Sequence, residues 1–240
     1  MSAALWYAIA AAAGNVLGGV AVARSARAGL RFIEGLVAFG AGFMLSVAIV
    51  EILPEAFARG GGSAAVYVLF GYLLVHLSQH TATEHFHFGE ETHQVTRVAG
   101  LTALIGLLLH TFFDGVAIAS GFAVSSELGL LVFFAILLHK LPEGVTISSL
   151  QMAVGRSRGQ AVGAAAVLGV ATVAGVLLTD AVGFLAAHGL ALSAGVTIYV
   201  AASNLVPEFQ AKPGWRLPAA FFAGAAVFFL TREGLRLLAM

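Results

Sequence analysis

The chain has 240 residues, 60% of them hydrophobic and 10% charged, with 12 basic and 12 acidic side chains and a net charge of zero. An ordinary soluble domain carries roughly 25% charge, so this composition cannot dress a water-facing surface, and the even balance gives no electrostatic reason to expect nucleic acid or an acidic macromolecule as partner. The lack of cysteine removes disulfides and thiolate metal sites, which leaves nitrogen, oxygen and thioether groups as the available metal ligands.

Recurrent apolar stretches near or above the roughly 20 residues needed to cross hydrocarbon predict an all-α, polytopic membrane protein. A spanning β-barrel would instead show short strands of alternating polarity, unlike these runs of Ala, Leu, Val and Gly. The first stretch, Ala3 to Ala23, lacks the basic region that opens a cleavable signal peptide, and Arg24, Arg27 and Arg31 come after it, so it reads as a retained helix. Polar or glycine-rich breaks at Arg24 to Arg31, Arg59 to Ser63, Thr81 to Thr96, Ser125 to Glu127, Gly155 to Gly159, Ala187 to Gly189 and Lys212 to Arg216 predict eight transmembrane helices. Their expected spans are 3–23, 32–57, 64–80, 98–124, 128–153, 161–186, 190–210 and 217–238, in one transmembrane domain over residues 1–240. The odd-numbered loops hold eight basic residues (Arg24, Arg27, Arg31, Arg97, Arg156, Arg158, Lys212 and Arg216), against Arg59, Arg232 and Arg236 on the opposite side. Retention of Lys and Arg in the cytoplasm then predicts both termini outside and a cytoplasmic 81–96 loop. Lys140 is left within a helix.

Gly40 to Phe57 reads GAGFMLSVAIVEILPEAF and Ser193 to Gln210 reads SAGVTIYVAASNLVPEFQ, matching at an AG pair, a VA pair and the closing PE, with an offset of 153 residues. The second and seventh helices run in opposite directions, so the pattern predicts an inverted repeat, helices 1–3 against helices 6–8 around a central hairpin of helices 4 and 5. Chance likeness between Ala-rich helices is the alternative.

The fourth helix carries LLLHTFFDGVAIASG and the fifth LLHKLPEGVTISS, each with a His followed four residues later by a carboxylate and then Gly. At 3.6 residues per turn, His110 and Asp114 share one helix face, as do His139 and Glu143. Both histidines lie about 14 residues, or roughly 21 Å of helix, from the turn between these helices. Antiparallel neighbours therefore bring the two motifs to one level, inside the roughly 30 Å hydrocarbon slab. Four ionisable groups converging where each alone would be costly point to a shared cation. For any single one of them, a satisfied interhelical hydrogen bond is the plainer alternative. Pro142 lacks a donor and clashes with the Leu138 carbonyl, predicting a kink and a freed oxygen, while Gly115 and Gly144 predict close helix packing.

HTFFDG and HKLPEG resemble the paired HNxxDG or HNxPEG and HExP or HNxPEG motifs of the ZIP (Zrt/Irt-like) zinc and iron transporters. The resemblance extends over nearly the whole chain, including the eight expected helices, the His-bearing loop after the third and the LPEA end of the second. It implies a transport site in the fourth and fifth helices worked by alternating access, with His110, Asp114, His139 and Glu143 as its ligands. Met44 resembles a thioether ligand found in part of the family, and gap-filling at a helix interface is its other reading. Two imidazoles with carboxylates suit zinc and admit iron, manganese, cobalt or cadmium.

Many members of the family have a second, adjacent metal site, at positions that read Thr111, Lys140 and, by a gapless alignment, Thr172 here. An ammonium has no lone pair to offer a metal and would neutralise part of the charge of Asp114 and Glu143, so a single-metal site is expected. Snorkelling of Lys140 to the interface is the alternative, and about 13 residues separate it from the turn. With neutral histidines the three charges sum to one negative, and a bound divalent ion leaves +1.

The HLSQHTATEHFHFGEETHQ segment has five histidines and three glutamates. His85 and His87 are candidates for metal capture or regulation, beside the plainer reading of a solvated polar loop. His76, Glu51, Glu55 and Glu208 fall near helix ends along a candidate pathway, and His188 reads as a loop residue. The leading expectation is thus a zinc-preferring importer in a cell membrane, a bacterial inner membrane first. Its metal is cargo rather than cofactor, its partners are the divalent ion and the bilayer, and homodimerisation is left open. Carriage of another divalent ion is the nearest alternative, ahead of an intramembrane zinc metalloenzyme or a sensor without flux. The motifs offer no separate general acid or base such as the Glu of HExxH, which counts against the enzyme.

Overall fold

The computed structural model describes residues 3–24, 30–82, 97–210 and 212–239, and every regular element among them is helical. The helices are α1 (Ala3–Arg24), α2 (30–60), α3 (Gly62–Ala82), α4 (Arg97–Val124), α5 (Ser126–Ala153), α6 (Arg158–Ala181), α7 (183–210) and α8 (Arg216–Ala239). Among the described residues, six stretches are long and apolar enough to cross a bilayer: Ala3–Arg24, Arg31–Gly60, Ala103–Val124, Ser126–Ala153, Arg158–Ala181 and Gly183–Leu205. A shorter apolar helix, Gly62–Ser78, adds to them. Such a chain is a multi-pass membrane protein, because a helix is the form that satisfies backbone polar groups within its own segment in hydrocarbon.

Local chemistry explains where the helices end. Gly61 adopts φ 55 and donates its N–H to Phe57 O, closing α2 three residues past the expected end at 57. Ser125, in extended conformation, accepts from the Leu128 N–H at 3.1 Å, so α4 and α5 are separated by this one residue. Ser157 and Gln160 form a reciprocal capping box at the start of α6. The break between α6 and α7 falls at Val182 rather than at 187–189. Gly189, which reads as a breaker in sequence, is a packing position instead: a methyl there would come 2.8 Å from Val116 Cγ1 and 2.9 Å from Ser120 Oγ. His188 accordingly lies within α7, its ring stacked on Tyr67 at 3.9 Å.

Close helix approach comes from glycines in reciprocal pairs. Gly18 and Gly144 join α1 to α5, Gly115 and Gly175 join α4 to α6, Gly42 and Gly224 join α2 to α8, and Gly71 and Gly195 join α3 to α7. A methyl at any of the eight would meet a backbone carbonyl oxygen of the partner helix at 1.9–2.2 Å. Lipid tails are as apolar as Leu, so small residues that let backbones touch are a main source of cohesion here. Helices α1, α4, α5 and α6 pack on one another, while α2 with α8 and α3 with α7 flank them.

Helices α2 and α7 each contain a π turn, Ala48–Ile52 and Val200–Leu205, followed by Pro54 and Pro207. Each proline lacks the N–H that would continue the ladder, and a widened turn just before it absorbs the mismatch. Each π turn packs against the other helix.

Candidate metal centre

His110 and Asp114 lie one turn apart on α4, and His139 and Glu143 one turn apart on α5, with Gly115–Gly175 and Gly18–Gly144 holding neighbours tight against these turns. All four side chains are buried, and one ligand atom from each falls within 4.8 Å of the others. Asp114 Oδ2 is the point of convergence, 3.3 Å from His139 Nε2 and 3.5 Å from His110 Nε2. The two imidazole centroids are 5.5 Å apart.

His139 Nδ1 lies 3.0 Å from the Ala135 carbonyl, which can only accept, so Nδ1 carries a proton, and in the neutral ring the Nε2 lone pair then faces Asp114. In that state Nε2 and Oδ2 are two acceptors facing each other, an arrangement that a cation between them would reconcile. The N–H to a backbone carbonyl is also the support that fixes tautomer and ring orientation in metal-binding histidines. His110 Nδ1 is buried without a hydrogen-bond partner among the described atoms.

Lys140 has no exposed surface and does not snorkel. Its Nζ donates to Asp114 Oδ2 at 2.6 Å and to Glu143 Oε2 at 2.7 Å, bridging the carboxylates of the two helices. Thr111 donates its hydroxyl to Glu143 Oε1. Thr172, buried on α6, directs its hydroxyl to its own Leu168 carbonyl at 3.5 Å, and its backbone oxygen faces Gly115. Of these three residues, Lys140 and Thr111 are thus donors to the carboxylates of the cluster, while the Thr172 hydroxyl is engaged within its own helix.

Met44 is buried on α2, one turn beyond Gly40, where an added Cβ would lie 3.5 Å from the side chain of Leu138, the residue before His139. α5 stays helical through Pro142. Among the residues with looser sequence signals, Glu51 and Glu55 line a cavity of about 360 Å³ together with Glu127, Arg232 and Arg236, where the ends of α2 and α8 meet the α4–α5 turn. Glu51 pairs with Arg232, and Glu127 with Arg236 at 3.2 Å. The His76 ring lies 5.7 Å from that of Tyr199. His85 and His87 lie outside the described residues.

Sequence reasoning missed Asn15. It is fully buried on α1, and its amide fits its surroundings in one orientation, with the nitrogen donating to Glu143 Oε2 at 3.2 Å and to the Lys140 carbonyl at 2.6 Å. The available signal was a lone carboxamide in an apolar span, set between Gly14, Gly18 and Gly19.

The family model for the ZIP zinc transporter matches residues 76–232. Zinc transporter ZIP13 of Pongo abelii is 27% identical over 214 residues, covering 79% of this chain and 62% of that protein. Zinc transporter ZIP9-A of Xenopus laevis is 30% identical over 157 residues, 60% of this chain and 52% of that protein. Zinc transporter ZIP9 of Micropogonias undulatus is 31% identical over 157 residues, 60% of this chain and 50% of that protein. The chain thus spans about half to three-fifths of the length of these relatives.

Proposed function

The chain belongs to the ZIP zinc transporter family, and we propose that it carries a divalent metal ion, zinc first, through the membrane toward the cytoplasm by way of one mid-depth site. The ligands are His110, Asp114, His139 and Glu143, with Met44 as an additional thioether. The observation that carries this reading is the buried convergence of two imidazoles and two carboxylates from adjacent helices within 4.8 Å. That set of donors matches the preference of zinc for nitrogen and oxygen at low coordination number.

The single-ion reading draws on Lys140. Its ammonium lies 2.6 and 2.7 Å from the two carboxylates, as a second cation would, and it offers no lone pair to a metal. One negative charge is then left to meet a divalent ion, which limits how tightly the site grips its cargo. Permeation requires binding favourable enough to enter and weak enough to leave.

Alternating access between two halves of an inverted repeat completes the proposal, with all eight helices spanning the bilayer and both termini outside. Gly42 and Gly195, and likewise Gly71 and Gly224, stand 153 residues apart and make equivalent crossings, α2 with α8 and α7 with α3. The offset is that of the PE motifs, and each motif follows a π turn. The eight-to-three distribution of basic residues supports the orientation.

The test is zinc flux into proteoliposomes. Radiolabelled zinc uptake by the intact protein should be abolished in a His110→Ala, Glu143→Ala double variant that still inserts and purifies as the parent does. Equal uptake by both would overturn the reading.

A further inference from the structure

We infer that Asn15, on a helix that carries none of the proposed ligands, is a positioning residue that limits how much of the Glu143 carboxylate the ion receives and so sets the release of the cargo. The inference rests on the transport reading above.

The two acidic residues of the cluster are held differently. Asp114 accepts from Lys140 through Oδ2, the atom that also faces the two imidazoles. Glu143 is held by donors on three helices: Thr111 of α4 on Oε1, and on Oε2 both Lys140 of α5 at 2.7 Å and Asn15 of α1 at 3.2 Å. An ion that takes an electron pair from Glu143 competes with all three. Thr111 and Lys140 belong to the hairpin that carries the ligands. Asn15 comes from outside it.

The α1–α5 crossing fixes the aim of that amide. A methyl on Gly18 would lie 2.2 Å from Leu141 O, one on Gly144 2.0 Å from Asn15 O, and one on Gly14 3.1 Å from Lys140 Cβ. Backbone contact this close leaves α1 no freedom to slide along α5 without opening the interface. The second hydrogen bond, to the Lys140 carbonyl at 2.6 Å, pins the other amide proton to the α5 backbone. The carboxamide is therefore preorganised, and its bond to Glu143 is retained unless the carboxylate turns toward an ion.

A hydrogen bond to a charged acceptor in a buried site is strong enough for its removal to change competition for that acceptor about tenfold. Replacing Asn15 by the near-isosteric Leu frees Glu143 to bind the ion more fully. Zinc measured by calorimetry in detergent should bind the Asn15→Leu variant about tenfold tighter. In proteoliposomes its KM and its maximal rate should both fall, because tighter binding retards release. In a Glu143→Ala background the same substitution should leave zinc affinity unchanged, since the acceptor through which Asn15 acts is gone. Asn15→Ser, which keeps a small polar side chain but loses the reach, should act in the same direction as Leu and guards against a folding defect of the bulkier variant.

Unchanged or weaker zinc binding in both single variants, or a tightening that persists without Glu143, would overturn the inference. If the parent protein itself neither binds nor transports zinc, the transport reading fails instead, and the two outcomes are distinguishable on the same samples.

Discussion

Replacing Lys140 by Asp reverses the charge at the centre of the cluster. The ammonium is fully buried and bridges Asp114 and Glu143 at 2.6 and 2.7 Å. Breaking a buried ion pair by removing one partner costs about 3–5 kcal/mol, because the remaining charge is left uncompensated. At about 2–4 °C per kcal/mol for a chain of this length, the metal-free Lys140→Asp protein should melt on the order of 10 °C below the parent. With neutral histidines the fixed charge of the cluster moves from one negative to three, enough to hold two divalent ions, and the new carboxylate occupies the position from which the ammonium spanned the two helices. Zinc titration followed by calorimetry, with metal content measured after desalting, should therefore saturate at two equivalents in the variant and one in the parent. Added zinc should restore the lost thermal stability by mass action on the folded state. Saturation of the variant at one equivalent, or an unaltered melt without metal, would refute the claim that Lys140 stands where a second ion would bind.

Two further predictions concern the frame around the cluster. Gly144→Ala places a methyl 2.0 Å from the Asn15 carbonyl oxygen, where backbone must move, and should destabilise by about 1–3 kcal/mol. Gly163→Ala, within α6 and with nothing within 4 Å of the added methyl, should be neutral or stabilise by about 0.5–1 kcal/mol. Thermal melts of the two in the same detergent check the contrast, and equal shifts would contradict the packing argument. Arg236→Ala removes half-exposed pairs with Glu127 and Glu233, both at 3.2 Å, and should lower stability by less than about 1 kcal/mol. A drop of several degrees would assign this end of the bundle a larger structural part.

Composition and periodicity alone determined that the chain is helical and built for a membrane, because charge content and the length of apolar runs are local properties that solvent reads directly. Helical periodicity likewise puts His110 with Asp114 and His139 with Glu143, since residues four apart share a face whatever the fold. The break between α6 and α7 was not readable in this way. Gly189 has the character of a breaker, and only the neighbouring Val116 and Ser120 show that it serves packing.

The spacing already suggested Lys140 beside Asp114 and Glu143, but the tertiary structure decided how the four side chains are surrounded. That Lys140 spans both carboxylates, rather than reaching for the interface, depends on the register of α4 against α5. That Asn15 closes on Glu143 depends on which face of α1 meets α5, and this is set by glycines on both helices acting together. Contacts between residues distant in sequence leave no period of their own in the sequence, because each helix supplies one half of the interface and neither half specifies its partner.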